Sequence, residues 1–239
     1  MRLITLLSLL LLAAIAPAFA TPFDDGMAAY KSGDWTKAFE ILKPLAALDN
    51  SQSTVVQLRL AHLYERGQGT PKDLAAAAKW FQKAAERGSP TAQAHLGRFY
   101  RLGTGVPKDA GQAARWSMKG ASQGNAIAQS NLGYMAQEGM GGPVDAAGAA
   151  GWFKKAADQG DGSAMIGLAG LYEQGRGVAK DPVQARKWYM LASVDDGEYD
   201  AEMPVRAKKA AEALAGKMTP AQIAQADKLV AEFKPAPKR

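Results

Sequence analysis

The sequence predicts an all-α protein built as a solenoid of α-hairpins, with atypical hairpins at its two ends. The first observation behind this prediction is a ten-residue pattern that returns every 36 residues, as YERGQGTPKD, YRLGTGVPKD, AQEGMGGPVD and YEQGRGVAKD. The second is that four of the five tryptophans keep the same spacing: Trp80, Trp116, Trp152 and Trp188. A period in the thirties indicates helical hairpins that bury their apolar faces against their neighbours in a stack.

Residues 1–20 have the features of a secretory signal peptide. Met1 and Arg2 give a short positive start, Leu3–Ile15 is an almost unbroken apolar run, and Ala18-Phe19-Ala20 is a small-x-small cleavage site. An uncleaved membrane anchor is the alternative, but the run is short and wrongly flanked for a stable span. We therefore expect a mature chain that begins at Thr21, is periplasmic or secreted, and keeps no stable membrane insertion.

Residues 21–52 are predicted to form an N-terminal capping hairpin, because they read as two helices without the glycine pattern. Gly33-Asp34-Trp35 supplies the turn, in which Asp34 is a candidate N-cap. Trp35, the fifth tryptophan, is expected to seal the first repeat. A terminal unit of this kind is what a solenoid needs at its end.

Residues 53–196 are predicted to hold four 36-residue units, each made of two helices. In the first half of a unit, for example Pro90–Leu102, the apolar residues Leu96, Phe99 and Tyr100 follow helical spacing. The second half, for example Leu74–Arg87, is rich in alanine, which favours helix and lets two helices approach closely. The tryptophan of each unit is expected to fill the space that remains.

These units resemble the Sel-one-like repeat, a relative of the tetratricopeptide repeat. The resemblance rests on segments such as AHLGRFYRLGTGVPKD followed by ARWSMKGASQG, and it covers all four units. It implies a right-handed superhelix in an exported bacterial member of the family, with the first helix of each unit on the concave side. The third unit departs from the pattern, with Ala136 in place of Tyr and Gly142-Pro143 in place of Val-Pro, which predicts looser packing there.

Residues 197–233 are predicted to form C-terminal capping helices. The segment from Tyr199 to Ala215 is expected to be one helix, and Thr219-Pro220-Ala221-Gln222 is a strong start for another, with Thr219 as N-cap and Pro220 at the first helical position. The proline-rich segment 234–239 is expected to be a disordered tail.

The glycine pattern suggests a phosphate-binding loop at first, but its surroundings favour a structural turn. Gly67 follows an amphipathic helix rather than a strand, and Lys72 is not followed by Ser or Thr, as a phosphate loop requires. The aspartates that close the pattern are interpreted as helix N-caps rather than as catalytic or metal-binding carboxylates. The segment Asp181-Pro182-Val183-Gln184 favours this interpretation, because it has the composition of a helix start.

The composition argues against several classes of function. The net charge of +6 comes without a basic run, which disfavours nucleic-acid binding, and the absence of cysteine removes disulfides and thiolate chemistry. His62 and His95 are 33 residues apart and lack the spacing of a helical metal-binding pair, so each is expected on a helix surface. We therefore expect no catalytic residue, no cofactor and no metal site, and no enzyme activity.

The concave helix face remains as the candidate site. If the first helices line it, the residues that face it are His62, Glu65, Arg66, Arg98, Arg101, Tyr134, Gln137, Glu138, Glu173 and Gln174. This surface would be basic near the second repeat and neutral or acidic beyond it. We interpret it as a groove for an extended peptide or a helix of another envelope protein, while a solvated helix face is the alternative interpretation of the same residues.

Two further hypotheses compete with a non-catalytic interaction scaffold. One is binding, or weak hydrolysis, of a small molecule of the cell envelope, such as a peptidoglycan fragment or a β-lactam. Some cysteine-rich members of the family have been linked to β-lactam binding, but this chain lacks their cysteines and any Ser-x-x-Lys motif. The other is a purely structural stress protein with no defined ligand.

Overall fold

The computed structural model describes residues 21–48, 50–194 and 202–236, and these residues form helices joined by turns, with no strand among them. The predicted signal peptide lies outside the described residues. The helices in chain order are α1 Pro22–Ser32, α2 Trp35–Leu45, α3 Ser53–Arg66, α4 Leu74–Glu86, α5 Pro90–Leu102, α6 Ala110–Ser122, α7 Ala126–Glu138, α8 Ala146–Ala157, α9 Gly162–Gln174, α10 Pro182–Ala192, α11 Glu202–Ala215 and α12 Pro220–Ala231. The predicted all-α solenoid is thus confirmed.

Consecutive helices pair into hairpins, and the hairpins stack in chain order from α1·α2 to α9·α10. In addition, the first helices α5 and α7 pack directly on each other, as do α7 and α9. Among the described residues, the second helices α4, α6, α8 and α10 do not pack on one another in this way. The first helices α5, α7 and α9 are therefore closer together than the second helices, which places them on the inner side of the stack. Side chains of α3 contact α5 and extend this side to the first repeat. None of the helices described is both long and apolar enough to cross a bilayer.

Phenylalanines, rather than tryptophans, occupy the centre of the core. Phe81, Phe99 and Phe153 are fully buried, and many alanines pack around them. Gly133 and Gly167 flank Phe153 so closely that a Cβ atom on either would lie 2.5 or 2.7 Å from its ring. Of the four repeated tryptophans, Trp116 and Trp188 are buried, but Trp80 and Trp152 are only partly so. The predicted filling role of tryptophan therefore holds for two of the four repeats.

The predicted turn chemistry is present in each repeat. Gly67 ends α3 in the left-handed conformation with φ of 68°, and Gly103, Gly139 and Gly175 end α5, α7 and α9 in the same way. The four repeated aspartates are N-caps, whose carboxylates accept hydrogen bonds from the backbone N–H of Ala76, Gln112, Gly148 and Gln184 at 2.8–3.0 Å. Each cap satisfies one donor that the helix start would otherwise leave unpaired.

The second glycine of the pattern joins neighbouring repeats. A Cβ atom on Gly69, Gly105 or Gly177 would lie 2.1–2.3 Å from the backbone carbonyl oxygen at the start of the preceding second helix: Trp35, Leu74 and Ala146, respectively. Gly141, in the third repeat, has nothing within 4 Å of that position. The sequence departure noted in this repeat therefore coincides with a second glycine that does not approach the neighbouring repeat closely.

The C-terminal end of the solenoid is covered by two helices that lie outside the repeats. Helices α11 and α12 both pack on α10, and the Phe233 ring meets Trp188 edge to face at 5.6 Å between centroids. The predicted capping box at Thr219 is present, and α12 starts at Pro220 as expected. The disordered tail was predicted to begin at Lys234, but the Ala236 N–H donates to the Asp158 carbonyl at 2.7 Å. Residues 234–236 therefore continue along the last repeat.

Candidate functional site

The candidate site is the inner surface formed by the C-terminal halves of α3, α5, α7 and α9. All ten residues predicted to face the concave side lie in these halves. Seven are partly buried, while Arg66, Glu138 and Gln174 are exposed. Their partial burial has a common cause, because several of them contact the first helix of the neighbouring repeat.

The first group of contacts joins α3 to α5. The Nε2 atoms of His62 and His95 are 3.3 Å apart, and Arg98 Nη2 donates to Glu65 Oε1 at 2.5 Å. Glu65 Oε2 is also 3.7 Å from His95 Nδ1. We expected the two histidines to be separate surface residues, and this expectation was wrong. The stack places them against each other on adjacent helices.

The aromatic residue Phe81 fixes the orientation of both imidazole rings. His95 stacks parallel to Phe81, with 4.7 Å between ring centroids and 5° between planes, and His62 meets Phe81 edge to face at 5.3 Å. Arg98 Nη2 lies 3.2 Å from His95 Nδ1. Because a guanidinium can only donate, we assign the His95 proton to Nε2, from which it is donated to His62.

Burial keeps both imidazoles neutral near pH 7. Loss of hydration lowers the pKa of His62 to about 3, and the positive charges of Arg66, Arg59 and Arg98 lower it further in the same sense. The pKa of His95 is also well below its ordinary value, chiefly through burial and then through Arg98. Burial raises the pKa of Glu65, and the charge of Arg98 opposes that rise.

A second group of contacts joins α5 to α7. Arg101 donates to Glu138 Oε1 at 3.1 Å and its guanidinium lies over the Tyr134 ring, 4.9 Å from the centroid. The Tyr134 hydroxyl donates to the Ser163 carbonyl at 2.9 Å, and burial raises the pKa of this tyrosine to about 12. Arg101 is only 11% exposed, so that it contributes to packing between repeats as well as to the surface.

The remaining predicted residues do not join these two groups. Glu173 accepts a hydrogen bond from the Tyr189 hydroxyl within the last hairpin, at 3.0 Å. Arg66 and Gln174 are exposed at the ends of α3 and α9, and the Gln137 side-chain oxygen is buried without a hydrogen bond. The structure therefore gives a row of partly paired polar groups rather than one convergent centre.

The sequence reasoning missed His95, and the spacing between partners shows how it could have been found. Glu65 and Arg98 are separated by 33 residues, as the two histidines are, which is one repeat less three residues. The pairs between α3 and α5 are thus offset by about one helical turn from the 36-residue register, whereas Arg101 and Glu138, between α5 and α7, are 37 residues apart. Within the described residues, no serine or threonine hydroxyl makes a hydrogen bond to either imidazole.

Comparisons with known proteins agree with this architecture. The model of the family described as Sel1 repeat matches residues 55–89, 90–125, 126–161 and 162–193. A crystal structure of c5321, a protective antigen of uropathogenic Escherichia coli strains with an SLR fold, is 32% identical, with a TM-score of 0.70 over 87% of this chain and 45% of that one. A Sel1 repeat protein from Oxalobacter formigenes is 31% identical, with a TM-score of 0.65 over 87% of this chain and 83% of that one. This chain thus spans less than half the length of c5321. No curated protein matches it.

Proposed function

Since the chain belongs to the Sel1 repeat family, we propose that it is an exported scaffold that binds another envelope protein or peptide segment on the inner surface of its first helices, without catalysis. Sel1 repeats are typical of scaffolds for protein–protein interaction. The observation that carries the proposal is the way polar side chains on this surface are held. Pairs such as Glu65 with Arg98 and Arg101 with Glu138 link adjacent repeats.

A surface fixed in this way is prepared for a partner. Because paired side chains are already ordered, binding costs less conformational entropy than it would on a mobile surface. Arg66, Glu138 and Gln174 are exposed and can still contact a ligand. An extended segment or an amphipathic helix fits a row of this kind, since its side chains recur along a line.

The charges along the row favour one orientation of such a segment. Four arginines on α3 and α5 (Arg59, Arg66, Arg98 and Arg101) outnumber the single carboxylate there, Glu65, whereas the charged residues of α7 and α9 are Glu138 and Glu173. A segment with acidic residues towards α3 and basic residues towards α9 would complement this arrangement. Complementary charge of this kind sets specificity and association rate more than affinity.

The start of the fold supports the export part of the proposal. Thr21, the first residue after the expected cleavage site, is the N-cap of α1, and its side chain forms a reciprocal capping box with Asp24. The Thr21 backbone nitrogen lies 3.0 Å from Asp24 Oδ2. After cleavage this nitrogen would be a charged amine, which would pair with the carboxylate more strongly than an amide does.

Export predicts a defined mature protein. When the full chain is expressed with its own N-terminus in a Gram-negative host, we expect the protein in the periplasmic fraction. Its intact mass should correspond to residues 21–239. A protein that keeps residues 1–20, or that stays in the cytoplasmic fraction, would contradict the export proposal without affecting the scaffold proposal.

The partner proposal is tested by reversing one exposed charge on each side of the same repeat. Arg66→Glu on α3 is expected to weaken capture of the natural partner from envelope extract about tenfold or more, as interface charge reversals do. Lys79→Glu on α4 makes the same charge change at an exposed position on the second helix and should leave capture unchanged. Equal capture by both variants would contradict the assignment of the inner surface.

A further inference from the structure

We propose that His62, Glu65 and His95 bind a divalent transition-metal ion between the first two repeats, with zinc as its probe. The two histidines and the glutamate offer one donor atom each, and the three atoms lie within 4.8 Å of one another. His62 and Glu65 are three residues apart on α3 and so share one face of that helix. His95 reaches them from α5. The proposal does not depend on the identity of the partner, although His62 and Glu65 also belong to the inner surface.

The distance between the imidazole nitrogens suits a shared metal ion. Two nitrogens bound to one tetrahedral zinc at about 2.0–2.1 Å lie about 3.3–3.4 Å apart. The Nε2 atoms of His62 and His95 are 3.3 Å apart before any ion is present. An ion could therefore lie between the two nitrogens while the rings stay against Phe81. The His95 proton would then move from Nε2 to Nδ1, so that Arg98, which now donates to Nδ1, would have to turn away.

The kind of donor in this cluster selects the kind of metal. Imidazole nitrogen is a ligand for zinc, copper, nickel and iron, whereas calcium and magnesium prefer oxygen ligands alone. Two histidines and one carboxylate also form the protein part of many zinc sites that leave one position to water.

The neighbouring arginines set the cost of binding a cation. Arg98 lies closest, with Nη2 3.2 Å from His95 Nδ1, and its ion pair with Glu65 must open before the carboxylate can bind metal. The Arg98 side chain is 34% exposed and can turn towards solvent. Since like charges repel, we expect zinc binding to be weaker than at a closed structural site. Removing Arg98 should strengthen it.

The direct test is equilibrium dialysis of zinc against the tag-free mature protein, residues 21–239, after treatment with a chelator at neutral pH. We expect about one zinc ion per chain. His62→Gln and His95→Gln should each weaken binding more than tenfold, and Glu65→Gln at least tenfold, as loss of a ligand or of its support does. Arg98→Gln should tighten binding about fivefold or more, because it removes a nearby positive charge.

Glu138→Gln is the matched control, because Glu138 also pairs with an arginine across adjacent repeats. It should leave zinc binding unchanged, and a loss equal to that of Glu65→Gln would overturn the site. Binding far below one ion per chain, or equal binding by the double variant His62→Gln/His95→Gln, would also overturn it.

A second measurement does not depend on whether the variants fold. The chain has only two histidines, so proton NMR of the wild-type protein resolves just two sets of ring signals. Both sets should shift when one equivalent of zinc is added. Ring signals that do not change at this ratio would overturn the proposal.

Discussion

Gly105→Ala is expected to destabilise the solenoid by about 4 kcal/mol or more, a size reserved for severe steric or electrostatic defects. Two effects add at this position. The backbone of Gly105 has φ of 68°, which costs any L side chain energy, and its Cβ would lie 2.1 Å from the Leu74 carbonyl oxygen and 2.4 Å from its carbon. The clashing atoms belong to the backbone at the start of α4, so that rotation of a side chain cannot relieve the clash. The two repeats would have to separate.

Gly141→Ala is the matched control for this change. Gly141 occupies the equivalent position of the third repeat and also has a positive φ, of 90°, but nothing lies within 4 Å of its expected Cβ. Its substitution should cost only the backbone strain, about 1–2 kcal/mol. Urea unfolding of both variants gives the comparison. Similar losses in the two variants would show that the close approach between repeats contributes nothing beyond local strain.

Trp116→Ala is expected to cost about 3–5 kcal/mol, as truncation of a large buried aromatic side chain does. Trp116 is 6% exposed and belongs to the apolar cluster of Phe81 and Phe99, so that its removal would leave a cavity between repeats. Interior repeats depend on their neighbours, and the loss should therefore lower the unfolding transition of the whole stack. Urea unfolding followed by circular dichroism measures the loss.

Comparing Trp152→Ala with Trp116→Ala tests how much of the loss in stability comes from burial of the tryptophan. Trp116 has Lys119 over its ring at 4.6 Å, and Trp152 has Lys155 in the same arrangement at 4.5 Å. Trp116 has a second cation, Arg115, at 5.5 Å from the ring centroid. Trp152 is only partly buried. We expect a smaller loss for Trp152→Ala, about 1–2 kcal/mol, within the usual range for single substitutions. Equal losses would mean that burial does not distinguish the two positions.

The repeat period made most of the fold predictable. The 36-residue register located the hairpins, the left-handed glycines such as Gly67 and the capping aspartates such as Asp73, because each of these roles depends on neighbours close in sequence. The same reasoning could not rank Phe81 above Trp80 as the fully buried residue. That difference depends on where the next repeat packs, which local spacing does not record.

The candidate site was predictable as a surface but not as a set of contacts. The sequence placed Glu65, Arg98 and Arg101 on the first helices, and the structure agrees. It did not show that His62 and His95 touch, because their contact depends on the offset between α3 and α5. That offset comes from the packing of whole helices and follows no pattern within a single repeat.

The central claim is that a partner binds on the inner surface of the first helices. Photo-cross-linking in intact cells tests it most directly, with a photoreactive residue placed at Arg66 on α3 or at Lys79 on α4, both of which are exposed. We expect an adduct of one defined partner from position 66 and none from position 79. An adduct that forms at position 79 and not at position 66 would contradict the claim, as would identical adducts from both positions.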